Sequence, residues 1–275
     1  MIKTNLHKIE KQGNVEYLTF PILNSFKNLR HGFTTRLGGV STGCFSQMNL
    51  SFTTGDNPDT VRQNYKIISN ALGINPNNLV LSAQTHTANI LCVGKNDVGK
   101  GVWRDKTYSD IDAIVTNQPS VALVTHSADC CLIGFFDPVN NVIAAAHAGW
   151  RGTVQEIGKK TVQVLINNYN CNPKNIIAVL APSVARCCYE VDDPVYNEFA
   201  KINYLNLNSI FINKNNGKYM LDLWEANRQI LINAGISEQN IQITDVCTHC
   251  QSKYFHSHRA NGNNRGVNAL IMELI

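Results

Sequence analysis

No apolar stretch of this chain approaches the roughly 20 residues that a membrane-spanning helix requires, which excludes an integral membrane protein of that kind. The opening Met1-Ile2-Lys3-Thr4-Asn5-Leu6-His7-Lys8 lacks the apolar core of a secretory signal. There is no Pro/Gly/Ser-rich linker, no block of like charge and no internal repeat. That favours one domain over residues 1–275, although the length would also allow two. Charge of one sign is scarce as well: 24 basic residues face 20 acidic ones, a net charge of +4. With no cluster of Lys and Arg, nucleic acid is excluded as the expected partner. The nine cysteines are an odd number, and the adjacent pairs Cys130-Cys131 and Cys187-Cys188 do not make a disulfide framework. Reduced thiols and the missing signal core together predict a cytoplasmic protein. Asn-rich stretches such as Asn213-Lys214-Asn215-Asn216 read as solvated turns.

Hydrophobic residues make up 44% of the chain, enough for a sizeable core. Three side chains suited to a metal stand out within it. They are His86 in Gln84-Thr85-His86, Cys130 in Ser127-Ala128-Asp129-Cys130, and His147 in Ala146-His147-Ala148-Gly149-Trp150-Arg151-Gly152. Two imidazoles and one thiolate suit Zn²⁺, and three protein ligands leave a fourth position open, which marks a catalytic zinc. Each alone has a plainer reading: a core or turn histidine, a small buried hydrophobe, a helix-capping histidine.

Spacing joins two of them. Cys131–Asp137 and Val142–Ala146 are apolar runs on either side of the turn residues Pro138-Val139-Asn140-Asn141, so the segment reads as a hairpin. If Pro138 sits opposite Asn141, paired positions sum to 279. Cys130 and His147 then lie on one face as diagonal neighbours, roughly 7–8 Å apart at Cα. A slip of one residue would separate them to opposite faces. Beyond His147, Gly149–Thr153 opens a helical pattern with Val154, Ile157, Thr161, Val164 and Leu165 on one face. The free N–H groups and dipole at that helix start, with Arg151, would favour an anion.

Further strands are expected at Glu16–Phe20, Leu29–Thr34, Leu79–Ala83, Ile90–Val93, Ala113–Thr116, Val121–Thr125, Ile176–Leu180, Ile210–Ile212 and Ile241–Thr244. Helices are expected from Asn57-Pro58 to Gly73, from about Asp192 to Ile202, and over Asp222–Ala234. Strand-rich order with interspersed helices gives an α+β class.

The motifs extend along the chain: His31-Gly32-Phe33-Thr34-Thr35-Arg36-Leu37-Gly38-Gly39-Val40-Ser41, Met48-Asn49-Leu50, Gly55-Asp56, Asp110-Ile111-Asp112-Ala113, Ala181-Pro182-Ser183, Cys188-Tyr189-Glu190-Val191, Cys247-Thr248, Phe255-His256-Ser257-His258-Arg259 and Arg265. Together with the three ligand motifs they resemble the YfiH family, also called the laccase-domain or polyphenol-oxidoreductase family, of FAMIN-like purine nucleoside phosphorylases. Two positions depart from its pattern: Thr87 stands where a Gly commonly follows the first ligand, and Ala181-Pro182-Ser183-Val184 replaces Gly-Pro-Ser-Ile. The resemblance implies mixed sheets packed face to face with helices outside, in α-β-β-α layers. It also implies phosphorolysis of adenosine, inosine and methylthioadenosine, together with adenosine deamination, so that purine nucleosides and phosphate are the partners. Asn49 and Arg265 become substrate-binding residues on that resemblance. Arg36, beside Gly38-Gly39, and Arg151, beside Gly149, are candidate anion binders. Asp129 reads equally as a turn residue or as an acid/base or supporting group. The assembly is expected to be a monomer or homodimer.

An open zinc can lower the pKa of bound water to about 7, and hydroxide attack at C6 of a purine releases ammonia. The His-x-Glu motif of known zinc deaminases is absent. A phosphate at the Gly149 helix start could instead attack C1′ of the ribose. Three other readings stand beside these. Copper could use two His and one Cys to oxidise phenols, but a multicopper cluster needs several His-x-His pairs and the chain has only His256-Ser257-His258. Cys130 could be a nucleophile with His147 as base in a cysteine hydrolase or amidase; the resemblance adds a toxin-deamidase-like fold and peptidoglycan precursor editing. A non-catalytic binding protein is the third. Cys247-Thr248-His249-Cys250 is a single Cys-x-x-Cys that Cys187-Cys188 could complete, and on spacing alone a structural zinc there is rejected. His256-Ser257-His258 reads as a polar strand near the pocket rim.

Overall fold

The structure is a computed structural model that describes residues 7–275. Strands β1 (Lys8–Gln12), β2 (Val15–Thr19) and β3 (Leu29–Thr34) form an antiparallel meander. Helix α1 (Pro58–Leu72) follows, with the Asn57 side chain accepting from the N–H groups of Asp59 and Thr60, and with Gly73 closing the helix at φ 71°. Next come β4 (Leu79–Leu81), β5 (Ile90–Cys92), β6 (Ala113–Thr116), β7 (Ala122–Ser127), β8 (Cys131–Asp137) and β9 (Val142–Ala148). Helices α2 (Trp150–Val154) and α3 (Ile157–Tyr169) lead to β10 (Ile177–Leu180) and β11 (Glu190–Asp192). The remainder is α4 (Asp193–Ala200), α5 (Leu207–Ile210), β12 (Phe211–Asn213), β13 (Lys218–Leu221), α6 (Leu223–Asn233), β14 (Ile241–Ile243), α7 (His258–Asn261) and β15 (Asn268–Leu274).

Two mixed six-stranded sheets carry the fold, in the orders β1-β2-β3-β15-β7-β4 and β14-β10-β8-β9-β6-β5, beside a small β11-β13-β12 sheet. Alternation along each strand sends side chains to two different cores. On β15, Ala269 and Ile271 join Val61, Tyr65 and Ile68 of α1. Leu270 and Met272 point the other way, into the space between the sheets, against Leu132 and Phe136. Ile133 and Phe135 of β8 reach the far face, under Ile157 and Leu165 of α3 and Ile230 and Leu231 of α6. The result is one α+β domain with helix, sheet, sheet and helices in successive layers. Among the described residues no helix is long and apolar enough to cross a membrane.

The hairpin adopts the expected register: Cys131 pairs with Ala148, Leu132 with His147 and Asp137 with Val142. Three expectations differ from the structure. The pattern after Gly149 is two helices, because Glu156 takes a left-handed φ of 56° between them. No strand forms at His256-Ser257-His258; His256 is buried, Ser257 caps α7 and His258 is exposed. Central strand β15 has no counterpart among the expected strands. Its Ala, Leu, Met and Glu are good helix formers, and pairing on both edges with β3 and β7 overrides that preference.

Candidate metal centre and its cleft

The chain leaves the first sheet at the end of β7 and enters the second at the start of β8, so residues 128–130 cross between sheets. Asp129 makes that crossing at φ 92°. Its Oδ1 accepts from the Thr248 hydroxyl at 2.6 Å, its Oδ2 from the Arg259 N–H at 2.6 Å, and its carbonyl from the Val184 N–H at 2.9 Å. Cys130 is thereby fixed at the mouth of the inter-sheet layer. His147, near the end of β9, sits across from Leu132 on the same layer. His86 comes from the loop between β4 and β5, in a left-handed conformation at φ 67°, which is costly for a non-glycine residue.

Asp112 offsets that cost. Its fully buried carboxylate accepts at Oδ1 from the His86 N–H (3.1 Å) and at Oδ2 from the N–H groups of Thr85 (3.0 Å) and Thr87 (2.9 Å). His147 Nδ1 donates to the same Oδ1 at 2.8 Å. One carboxylate thus shapes the loop that carries His86 and sets the ring of His147, leaving His147 Nε2 available to face the cluster. Composition and spacing assigned Asp112 no role, although it lies in the Asp110-Ile111-Asp112-Ala113 motif. Its signal was an acid at the edge of an apolar strand.

The three side chains converge. The His86 and His147 rings are 4.8 Å apart at 77°, the Cys130 sulfur is 4.0 Å from His86 Nε2, and the ligand atoms all lie within 4.8 Å of one another. Gly149 borders the cluster, where a Cβ would stand 2.8 Å from the Cys130 sulfur. Burial opposes ionisation of Cys130, but His147 and then His86 overcome it and bring the thiol down to about 6. Burial likewise opposes protonation of His147; Cys130 and Asp112 overcome it and hold the ring at about 9. Burial also works against the Asp112 anion, and the bonds from His147, Thr85 and Thr87 outweigh it, bringing the carboxyl to about 2. These shifts favour a thiolate beside an imidazolium when no cation is bound.

The cluster opens on a cleft of about 1160 Å³. Phe52, Trp103 and Tyr108 supply aromatic surface to its walls, and Lys106, Arg104 and Arg265 supply positive charge. Arg265 Nε is buried without a hydrogen-bond partner. Of the other residues expected to bind substrate, none reaches this wall. The Arg36 guanidinium is tied to the carbonyls of Ser46 and Ser252. Buried Asn49 donates to Asp56 and accepts from the N–H groups of Ser51 and Val267. Asp129 is consumed by the contacts above. Exposed Arg151 lies over the Trp150 ring, 4.3 Å from its centroid. A residue not anticipated is His126 on the cleft wall, 2.6 Å from the Tyr65 hydroxyl.

Fold and site together define a one-domain α+β protein with a two-histidine, one-cysteine cluster at the mouth of its sheet sandwich. Residues 30–274 match the family described as multi-copper polyphenol oxidoreductase laccase, and the chain belongs to that family. It is 32% identical over 251 residues to a purine nucleoside phosphorylase of Bacteroides thetaiotaomicron, covering 90% of this chain and 93% of that protein. It is 31% identical over 240 residues to adenosine deaminase RL5 of an unknown prokaryotic organism, covering 85% and 90%. The crystal structure of the Bacillus licheniformis hypothetical protein YfiH superposes with a TM-score of 0.92 at 31% identity, covering 97% and 99%.

Proposed function

We propose that this chain is a zinc-dependent purine nucleoside phosphorylase, acting on adenosine, inosine and methylthioadenosine, that also deaminates adenosine. The observation that carries the reading is the convergence of His86, Cys130 and His147 at the wall of a cleft that is both aromatic and cationic. The names of the two relatives point the same way.

The donor set fits zinc: two imidazole nitrogens and a thiolate poised to ionise, with one histidine oriented by a carboxylate. When bound, zinc supplies Lewis acidity to the attacking oxygen of water or phosphate. The rest falls to the protein. Asp112 keeps the proton on His147 Nδ1, and Gly149 leaves room beside the Cys130 sulfur. Phe52, Trp103 and Tyr108 offer faces on which a purine can stack. Arg265, on the cleft wall with its Nε unpartnered, would receive a phosphate oxygen through its guanidinium. In phosphorolysis that oxygen bonds to C1′, the bond from C1′ to the purine nitrogen breaks, and the base leaves with the electron pair and takes up a proton. In deamination water adds at C6 and ammonia departs.

The experiment incubates zinc-loaded protein with adenosine, with and without phosphate, and separates adenine, inosine and hypoxanthine. Adenine should form only with phosphate, inosine in both cases, and Cys130→Ala should remove both products. A zinc-loaded protein that leaves every purine nucleoside intact would refute the reading.

One observation favours a second reading. Cys130, His147 and Asp112 form a thiolate, imidazolium and carboxylate series of the kind used by cysteine hydrolases. A chelator separates the two, since it would abolish the zinc activity and spare the hydrolase.

A further inference from the structure

Cys187 and Cys188 lie in the connection between β10 and β11, and Cys247 and Cys250 in the one between β14 and α7. The two segments meet through a bridge between Ser183 and Cys247, where the Thr248 N–H donates to the Ser183 carbonyl at 3.0 Å. All four sulfurs then stand within 4.8 Å of one another. Three separations are 3.5 Å (Cys187 to Cys188), 3.7 Å (Cys187 to Cys250) and 3.4 Å (Cys188 to Cys250). A disulfide requires about 2.05 Å. A tetrahedral zinc with bonds of about 2.3 Å holds its sulfurs about 3.8 Å apart. The observed spacing is too long for a disulfide and close to that around a shared ion.

We propose that Cys187, Cys188, Cys247 and Cys250 bind a second, structural zinc in a closed tetrathiolate site separate from the His86-Cys130-His147 centre. One Cys-x-x-Cys was weak evidence in the sequence because its partners are about sixty residues away and adjacent to each other; the fold supplies the missing pair. The Cys247 sulfur accepts the Ala185 N–H at 3.4 Å, a contact that steadies a ligating thiolate. Four sulfur ligands leave no open position, which makes the site structural. Its place in the fold gives it a task. Thr248, inside the Cys-x-x-Cys turn, and Val184, in the partner segment, both bond to Asp129 beside Cys130. The zinc ties together the two segments that hold the crossing on which Cys130 rides.

The test counts zinc and maps thiol reactivity. Cys130→Ala, which removes a ligand of the other centre, should keep one zinc per chain, and Cys187→Ser with Cys250→Ser should lose one of two. In the unmodified chain Cys44, Cys92, Cys187 and Cys250 are all exposed. Alkylation followed by peptide mass spectrometry should label Cys44 and Cys92 at once, and Cys187 and Cys250 only after a strong chelator. Zinc-free Cys130→Ala protein, immediate labelling of Cys187 and Cys250, or a mass 2 Da low from a disulfide among the four would each overturn the proposal. None of these outcomes depends on nucleoside turnover.

Discussion

Replacing Asp112 by Asn exchanges one carboxylate oxygen for an amide NH₂ at a fully buried position. Oδ2 serves three donors, the N–H groups of Thr85 and Thr87 and the Thr87 hydroxyl, whereas Oδ1 serves two, the His86 N–H and His147 Nδ1. The amide oxygen therefore goes to the Oδ2 side, and the NH₂ faces the His86 N–H and His147. The His147 ring must then accept at Nδ1, which moves its proton to Nε2, the nitrogen that faces the ligand cluster. The switched His147 ring can accept from the NH₂, but the His86 N–H is left facing a donor; a mispaired buried donor costs about 1–3 kcal/mol, so Asp112→Asn should destabilise the fold by about that much. Loss of such an orienting partner costs about 10–100-fold in metal affinity. Urea unfolding of the metal-free protein reads the first effect and competition with a chromogenic chelator the second. Nitrogen-15 spectra of the imidazole report the tautomer. An Asn variant with unchanged metal affinity and the proton still on Nδ1 would refute the assignment of Asp112.

Three other outcomes follow from the geometry. Arg265→Ala should weaken phosphorolysis by about 10–150-fold, the equivalent of 1.5–3 kcal/mol for a charged hydrogen bond, and deamination far less; exposed Arg151→Ala should be the milder variant, and initial rates at varied phosphate decide between them. Gly149→Ala would set a methyl 2.8 Å from the Cys130 sulfur and 3.3 Å from His86 Cδ2; chelator competition should show at least a tenfold loss of zinc affinity (about 1.4 kcal/mol), and an unchanged value would count against the cluster geometry. His31 is buried, accepts the Phe20 N–H at Nε2, and is held down to about 4 by burial. A lowered folded pKa means the unfolded chain takes the proton first, so this contribution is intact above about pH 6.5 and is lost as pH falls towards 4, roughly 3 kcal/mol in all. Urea midpoints from pH 7.5 to 4.5 should fall less steeply for His31→Gln than for the parent chain, and parallel slopes would refute it.

Much of the candidate site's geometry was legible because its logic is local. The hairpin register followed from the Pro138–Asn141 turn and two apolar runs, and it placed Cys130 and His147 on one layer. Helix α1 carried its own signals in Asn57, Pro58 and Gly73. What escaped depends on distant partners. Strand β15 looks unlike a strand until β3 and β7 flank it. Asp112 gains its meaning from a loop some 25 residues earlier, and the four cysteines from two connections that only the fold aligns. The break at Glu156 left no mark, since the apolar stripe continues through it. Arg36 and Asn49 stood out in the motifs, yet their side chains bind the chain's own loops.

The most direct test is zinc-dependent turnover of adenosine by the purified protein, before and after chelation and after restoring the metal. The expected result is adenine release that needs both phosphate and zinc, inosine release that needs zinc alone, and loss of both in Cys130→Ala. Turnover that survives complete removal of metal, or a fully zinc-loaded protein inert towards adenosine, inosine and methylthioadenosine, would contradict it.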